Sequence, residues 1–171
     1  MQRAKLNAMQ SDWQLNLVKE GDDLAAVRVL LTEYWDSFGF TPCFQNFGEE
    51  LAGLPGAYAP PSGRLAIVRV NGKPAGCVAL RRIDNHRAEP KRLYVRAAFR
   101  GHGLGRKMLE WVMNEARAIG YTSLEGDTMP QMRDALALYR RMGFEVGSPA
   151  SAEQSSSSEH GNEPLLIRIR L

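Results

Sequence analysis

Phe99-Arg100-Gly101-His102-Gly103-Leu104-Gly105-Arg106 is the stretch on which the reading of this chain turns. It stands between a strand-like run, Arg92-Leu93-Tyr94-Val95, and a long amphipathic pattern that starts at Leu104. A glycine-rich turn that opens a helix gathers several free backbone N–H groups around one point, and the helix dipole adds partial positive charge there. Such a corner is an anion cradle, most often for phosphate. Glycine, lacking Cβ, lets a ligand come close to the main chain.

Two standard phosphate motifs fail on spacing. A P-loop needs Gly-Lys-Ser/Thr at its end, but the position five along from Gly101 is Arg106. The dinucleotide fingerprint Gly-x-Gly-x-x-Gly fails from Gly101, which reaches Arg106, and from Gly103, which reaches Met108. What remains is Arg100-x-x-Gly103-x-Gly105 after a strand and before a helix.

Working outward, the chain alternates helix and strand signals. Trp13 to Val18 reads as a first strand. Leu24, Val27, Leu30, Leu31, Tyr34 and Phe38 form a helical stripe, with Asp22 as the expected N-cap and Gly39 as its end. Phe44, Phe47, Leu51 and Leu54 give a shorter stripe stopped by Pro55-Gly56. Leu65–Val70 and Pro74–Arg81 flank Asn71-Gly72, a hairpin signal. Ala88 to Arg96 is the strand that enters the glycine turn. Leu104, Met108, Leu109, Val112, Ala116 and Ile119 mark the next helix, with Gly120 at its end. Tyr121–Glu125 reads as a strand, and Met132, Ala135, Leu136, Tyr139 and Met142 as a helix with Pro130 in its first turn. Phe144–Val146 and the alternating Leu165–Leu171 close the chain as strands. Residues 147–163, with four consecutive serines at 155–158, lose all periodicity and read as a flexible loop. The expected architecture is a mixed α/β single domain spanning 13–171 behind a disordered leader, residues 1–12.

Bulk composition narrows the classes. Hydrophobic residues make up 44% and charged residues 24% of 171, an ordinary globular balance with no apolar run long enough for a membrane span. The first ten residues lack the apolar region of a secretory signal. Cys43 and Cys77 match no metal or disulfide spacing, so a cytoplasmic location is expected, and Cys77 reads as a small buried hydrophobe. His86, His102 and His160 share no ligand spacing, so no metal is implied. A net charge of +3 is too mild to imply nucleic acid. The basic residues nonetheless cluster between Arg81 and Lys107, around the glycine turn. They read either as a solvated face or as a field for a polyanionic small ligand.

Taken together these motifs resemble the GNAT superfamily of N-acetyltransferases. The likeness rests on Lys91-Arg92-Leu93-Tyr94-Val95 before the turn, on Arg100-x-x-Gly103-x-Gly105, on Glu125-Gly126-Asp127-Thr128, and on Ala137-Leu138-Tyr139-Arg140-Arg141-Met142-Gly143-Phe144. It covers roughly residues 14–171. The resemblance implies a mostly antiparallel sheet of six to seven strands, splayed at the cofactor site and flanked by about four helices. It implies acetyl-coenzyme A as cofactor, its pyrophosphate held by Arg100, Gly101, His102, Gly103, Leu104, Gly105 and Arg106. Leu93, Tyr94 and Val95 are expected to pair through their backbone with the pantetheine arm, beside a bulge that aims an N–H at the thioester oxygen.

Acyl transfer to an amine also needs a base for the amine and an acid for the leaving thiolate. The resemblance makes Tyr139 the expected acid and Glu89 the first candidate base. Asp127 is the second and bulk water a third, and Pro90 is expected to distort the strand start and weaken the Glu89 assignment. The alternatives stay open: a core tyrosine, and two surface carboxylates. The expected acceptor is the primary amine of a small molecule, bound near Phe38, Phe40, Phe44, Phe47 and the 147–163 connection. A protein lysine or N-terminal acetyltransferase and a non-catalytic acyl-coenzyme A sensor are the alternatives, and a homodimer is left open.

Overall fold

A computed structural model describes residues 12–38, 46–148 and 163–171. Seven strands form one sheet: β1 Trp13–Leu17, β2 Arg64–Val70, β3 Lys73–Arg82, β4 Arg87–Val95, β5 Ser123–Thr128, β6 Glu145–Gly147 and β7 Leu165–Arg170. Their order is β1-β2-β3-β4-β5-β7-β6, and every neighbouring pair is antiparallel except β4 with β5. Four α-helices accompany them among the described residues: α1 Gly21–Asp36, α2 Phe47–Ala52, α3 Leu104–Ile119 and α4 Arg133–Arg141.

The middle strands are buried on both faces. On β2, Leu65 and Ile67 pack with Val27, Leu30 and Leu31 of α1, while Ala66 and Val68 turn to Met108, Leu109 and Val112 of α3. The period-two alternation of a strand therefore feeds two apolar clusters at once. Each large side chain so buried is worth about 1.5–3 kcal/mol of hydrophobic stabilisation. Asn71 and Gly72 both have positive φ, 50° and 76°, as the tight hairpin turn between β2 and β3 requires.

Several boundaries differ from the expectation. Helix α1 starts at Gly21, with Glu20 at the cap position, and Asp22 and Asp23 lie in the first turn. There the carboxylates face the positive end of the helix, and Asp23 pairs with Arg69 at 2.6 Å. Phe38 lies just past α1, Leu54 just past α2, and Pro130 precedes α4. Strand β5 runs to Thr128 rather than stopping at Glu125, because Ser123 to Thr128 pair continuously with β7. Gly39, Phe40, Cys43, Phe44, residues 1–11 and most of the serine-rich connection, 149–162, lie outside the described residues.

Two irregularities shape the centre of the sheet. The β3–β4 register shifts between Cys77 and Ala79, opposite Arg92, whose φ of 58° marks a β-bulge. The parallel β4–β5 ladder consists of Arg87↔Ser123 and Ala88↔Leu124 and goes no further, although β4 continues to Val95. Pro90 supplies a physical reason. The Arg87 carbonyl accepts from Ile83 and the His86 carbonyl from Thr122, so even-numbered residues at this end of β4 face β5. Pro90, two beyond Ala88, has no N–H to offer where the ladder stops. Pro90 still pairs in register with Leu80, so the strand start is regular rather than distorted, and its contribution is to help hold the sheet open.

Candidate active site

The glycine turn is held in place by two arginines. Arg96 Nη2 pairs with Glu33 Oε1 of α1 at 2.7 Å, and Arg96 Nη1 donates to the Pro74 carbonyl. Arg100 Nε donates to the Val95 carbonyl at 2.9 Å, folding the chain back on the end of β4. The arginine hydrogen bond to Glu33 is the main reason its carboxyl sits below the ordinary glutamate range. Gly101 and Gly103 take left-handed φ values of 80° and 76°, with nothing within 4 Å of where a Cβ would stand. The first helical bond of α3 runs from Lys107 N to Gly103 O at 3.1 Å. The N–H groups of Gly101, His102, Gly103, Leu104, Gly105 and Arg106 therefore have no acceptor among the described residues.

These are orphan donors at the positive end of a 16-residue helix, in a clearing that side chains would fill. A diphosphate fits that corner. Gly105 differs from its neighbours: its missing Cβ would stand 3.3 Å from Leu138 Cδ2, so it lets α3 approach α4 closely. Leu104 is buried in the core, Arg106 pairs with Glu110 on the surface, and His102 Nδ1 lies 2.9 Å from the Arg100 carbonyl.

The unpaired edge of β4 runs from the turn towards the bulge. Arg96 N donates to Ala75 O, and a Cβ on Gly76 would sit 2.3 Å from Tyr94 O. Tyr94 therefore turns its backbone to β3, and by strand alternation Leu93 and Val95 turn theirs to the opening. The Tyr94 ring instead packs 5.5 Å from Tyr34 of α1.

A cleft opens where β4 and β5 part. Tyr139, Glu89, Asp127, Tyr34, Lys91 and Met132 all line it, so the structure brings the three expected catalytic side chains together. Glu89 is buried, and both its oxygens carry a cation: Oε2 accepts from Arg81 at 2.6 Å and Oε1 from Lys91 at 3.3 Å. Its side chain fits because β5 has glycine opposite: a Cβ on Gly126 would be 3.0 Å from Glu89 Cγ. Asp127 is exposed, with no ion pair among the described residues. Tyr139 packs 5.2 Å from Phe144, and its hydroxyl has no hydrogen-bond partner among the described residues. Burial, then the nearby Tyr34 and Glu89, push its pKa well above the ordinary tyrosine value. Burial likewise pushes Tyr34 up to about 12.

Beside the bulge lies a buried ion pair that the sequence reading did not isolate. Arg92 grips Glu50 of α2 through two bonds, Nε to Oε1 at 2.8 Å and Nη2 to Oε2 at 2.5 Å. The Tyr58 hydroxyl adds a third bond to Oε1 at 2.6 Å, and Arg92 sits over the Phe47 ring. Burial pulls the Glu50 carboxyl upward, but the Arg92 and Tyr58 hydrogen bonds and the Arg92 charge outweigh it, leaving it below the usual value. Arg92 and Glu50 are 42 residues apart, and no local pattern announces their meeting.

Comparison with known proteins agrees with this geometry. The acetyltransferase (GNAT) family model matches residues 24–144. An uncharacterized N-acetyltransferase of Schizosaccharomyces pombe is 34% identical over 141 residues, covering 81% of this chain and 86% of the relative. An acetyltransferase structure from Streptococcus agalactiae superposes with a TM-score of 0.76 at 21% identity, covering 93% of this chain and 98% of the other. A Salmonella typhimurium acetyltransferase, described as bound to its cofactor acetyl-coenzyme A, superposes with a TM-score of 0.67 at 18% identity over 94% of each chain. A strand opened against its parallel neighbour, with a glycine turn leading into a helix, belongs to an N-acetyltransferase. The chain belongs to the GNAT family, and the seven-stranded sheet and four helices are its expected fold.

No helix among the described residues is long and apolar enough to cross a membrane. The buried Cys77 is 0% exposed, and burial pushes its thiol up to about 12, as suits a packing residue.

Proposed function

We propose that the chain, read as one acetyltransferase domain over 13–171, moves an acetyl group from acetyl-coenzyme A to the primary amine of a small molecule. The observation that carries this reading is the convergence of Glu89, Asp127 and Tyr139 on one cleft beside the unpaired edge of β4. Acetyl-coenzyme A supplies, when bound, an acetyl group activated as a thioester.

The turn N–H groups of residues 101–106 grip the diphosphate, and Arg100 and Arg106 add charge at that corner. The backbone N–H groups of Leu93 and Val95 and the Leu93 carbonyl guide the pantetheine arm as an added strand would, the Val95 carbonyl being held by Arg100. Asp127, at the exposed mouth, attracts the ammonium form of the acceptor. Glu89, deeper and beside Lys91, takes the proton from the amine directly or through a water. Tyr139 keeps its proton at all ordinary pH values and delivers it to the departing sulfur.

The cleft favours a small acceptor. It opens to solvent on one side, and aromatic Tyr34 and Tyr139 with Met132 form its walls. Tyr139→Phe tests the assignment. Turnover of acetyl-coenzyme A, followed by thiol release over a panel of polyamines, amino acids, aminoglycosides and peptides, should fall by about 10²-fold or more. Donor affinity should stay unchanged. A variant as active as the parent removes Tyr139 from the chemistry. A chain that binds donor but turns over no amine is a sensor, and one active on peptides alone acts on proteins.

A further inference from the structure

The cleft contains an amine of its own. Lys91 stands opposite Ala79 on β3, and Ala79 belongs to the cluster under α1, so Lys91 faces the α1 side of the sheet. Glu89, two residues earlier, shares that side. The bulge at Arg92 then breaks the alternation, and Tyr94 returns to the α1 side beside Cys77. The result is a compact group in which Lys91 lines the same cleft as Tyr139 and its ε-amine lies 3.3 Å from Glu89 Oε1. Its side chain is only 18% exposed.

We propose that Lys91 is a self-acetylation site, taking an acetyl group from bound acetyl-coenzyme A when no acceptor amine occupies the cleft. The inference rests on the acetyltransferase reading above. In the step, a bond forms between Lys91 Nζ and the acetyl carbon while the thioester carbon–sulfur bond breaks. The ammonium gives up two protons: one passes by Glu89 to solvent, the other ends on the departing thiol. The product is a neutral amide in place of the cation that Glu89 Oε1 holds.

Two features of the surroundings favour the step. Burial, reinforced by the Arg81 and Arg92 charges, lowers the Lys91 pKa against the opposing pull of Glu89, which raises the fraction of free amine. Proximity converts a collision between two solutes into a reaction within one complex. Uncatalysed acetylation, by contrast, favours exposed amines such as Lys19 and Lys73.

The test is to incubate the full chain with acetyl-coenzyme A, without acceptor, and map acetylated peptides over time. Calorimetry of donor binding is run on the same preparation. Lys91 should be modified at least about tenfold faster than Lys73, at a rate per molecule independent of protein concentration. An excess of a turned-over amine should slow it, and Lys91→Arg should remove the signal from that peptide. Tight donor binding with Lys91 unmodified, or modified no faster than Lys73, overturns this inference and leaves the acetyltransferase reading standing. No donor binding at all overturns both.

Discussion

The glycine turn and the cleft beside it are built in opposite ways. The turn offers main chain: contiguous residues 101–106, exposed at Gly101, His102 and Gly103, with positive φ at Gly101 and Gly103 and free N–H groups. The cleft is lined by side chains drawn from α1, β4, β5 and α4, most of them partly or wholly buried and several of them charged, with Asp127 exposed at its mouth. The first can be lost by one added negative charge, with no side chain of the core displaced. The second is woven into the core, so under the proposed mechanism its residues carry stability and chemistry together.

Arg92→Ala should separate the two most forcefully. It leaves the Glu50 carboxylate half-buried with one arginine fewer, and breaking such a pair costs about 3–5 kcal/mol. Chemical denaturation should report that loss. Stability within error of the parent would mean that the ion pair contributes nothing net.

Gly126→Ala sharpens the comparison more gently. Its Cβ would press Glu89 Cγ at 3.0 Å, for an overpacking cost of about 1–3 kcal/mol. Turnover should fall while donor affinity holds, because the displaced group belongs to the cleft and not to the turn. Loss of donor affinity instead would show that the two regions are coupled.

High pH distinguishes them with a smaller effect. Tyr34, raised to about 12 by burial, and the more strongly raised Tyr139 bind their protons more tightly folded than unfolded. Stability from these groups is complete below the unfolded value near 10 and declines as pH climbs towards the folded value. Denaturant midpoints measured from pH 9 to 11.5 should fall, and Tyr139→Phe should make the fall shallower. An identical slope in parent and variant would place the alkaline sensitivity elsewhere.

The same contrast explains what the sequence made legible. The turn announced itself because its chemistry is local: strand, glycines and amphipathic helix follow one another within about twenty residues, so spacing carries the geometry. Spacing put Tyr139 on a helix stripe, but its acid role, like Gly126 itself, was visible only as part of a resemblance. The cations on Glu89 and the Arg92–Glu50 pair depend on strand register and on a bulge, which one-dimensional spacing does not encode. Pro90 was misjudged because its effect depends on which neighbour its missing N–H faces. Gly105 looked like another cradle glycine until the α3–α4 contact gave it a packing role. Asp22 fell in the first turn rather than at the cap because the helix starts two residues earlier, at Gly21, whose φ of 73° a glycine adopts freely.

Calorimetric titration of acetyl-coenzyme A into Gly103→Asp and Gly103→Asn tests the central claim, that the turn N–H groups hold the diphosphate. Aspartate and asparagine both tolerate the left-handed conformation at φ of 76°, and they differ in charge rather than shape. The account predicts that asparagine keeps affinity within a few-fold while aspartate loses about 100-fold or more, since like charges at close range cost several kcal/mol. Equal affinities in the two folded variants would contradict it.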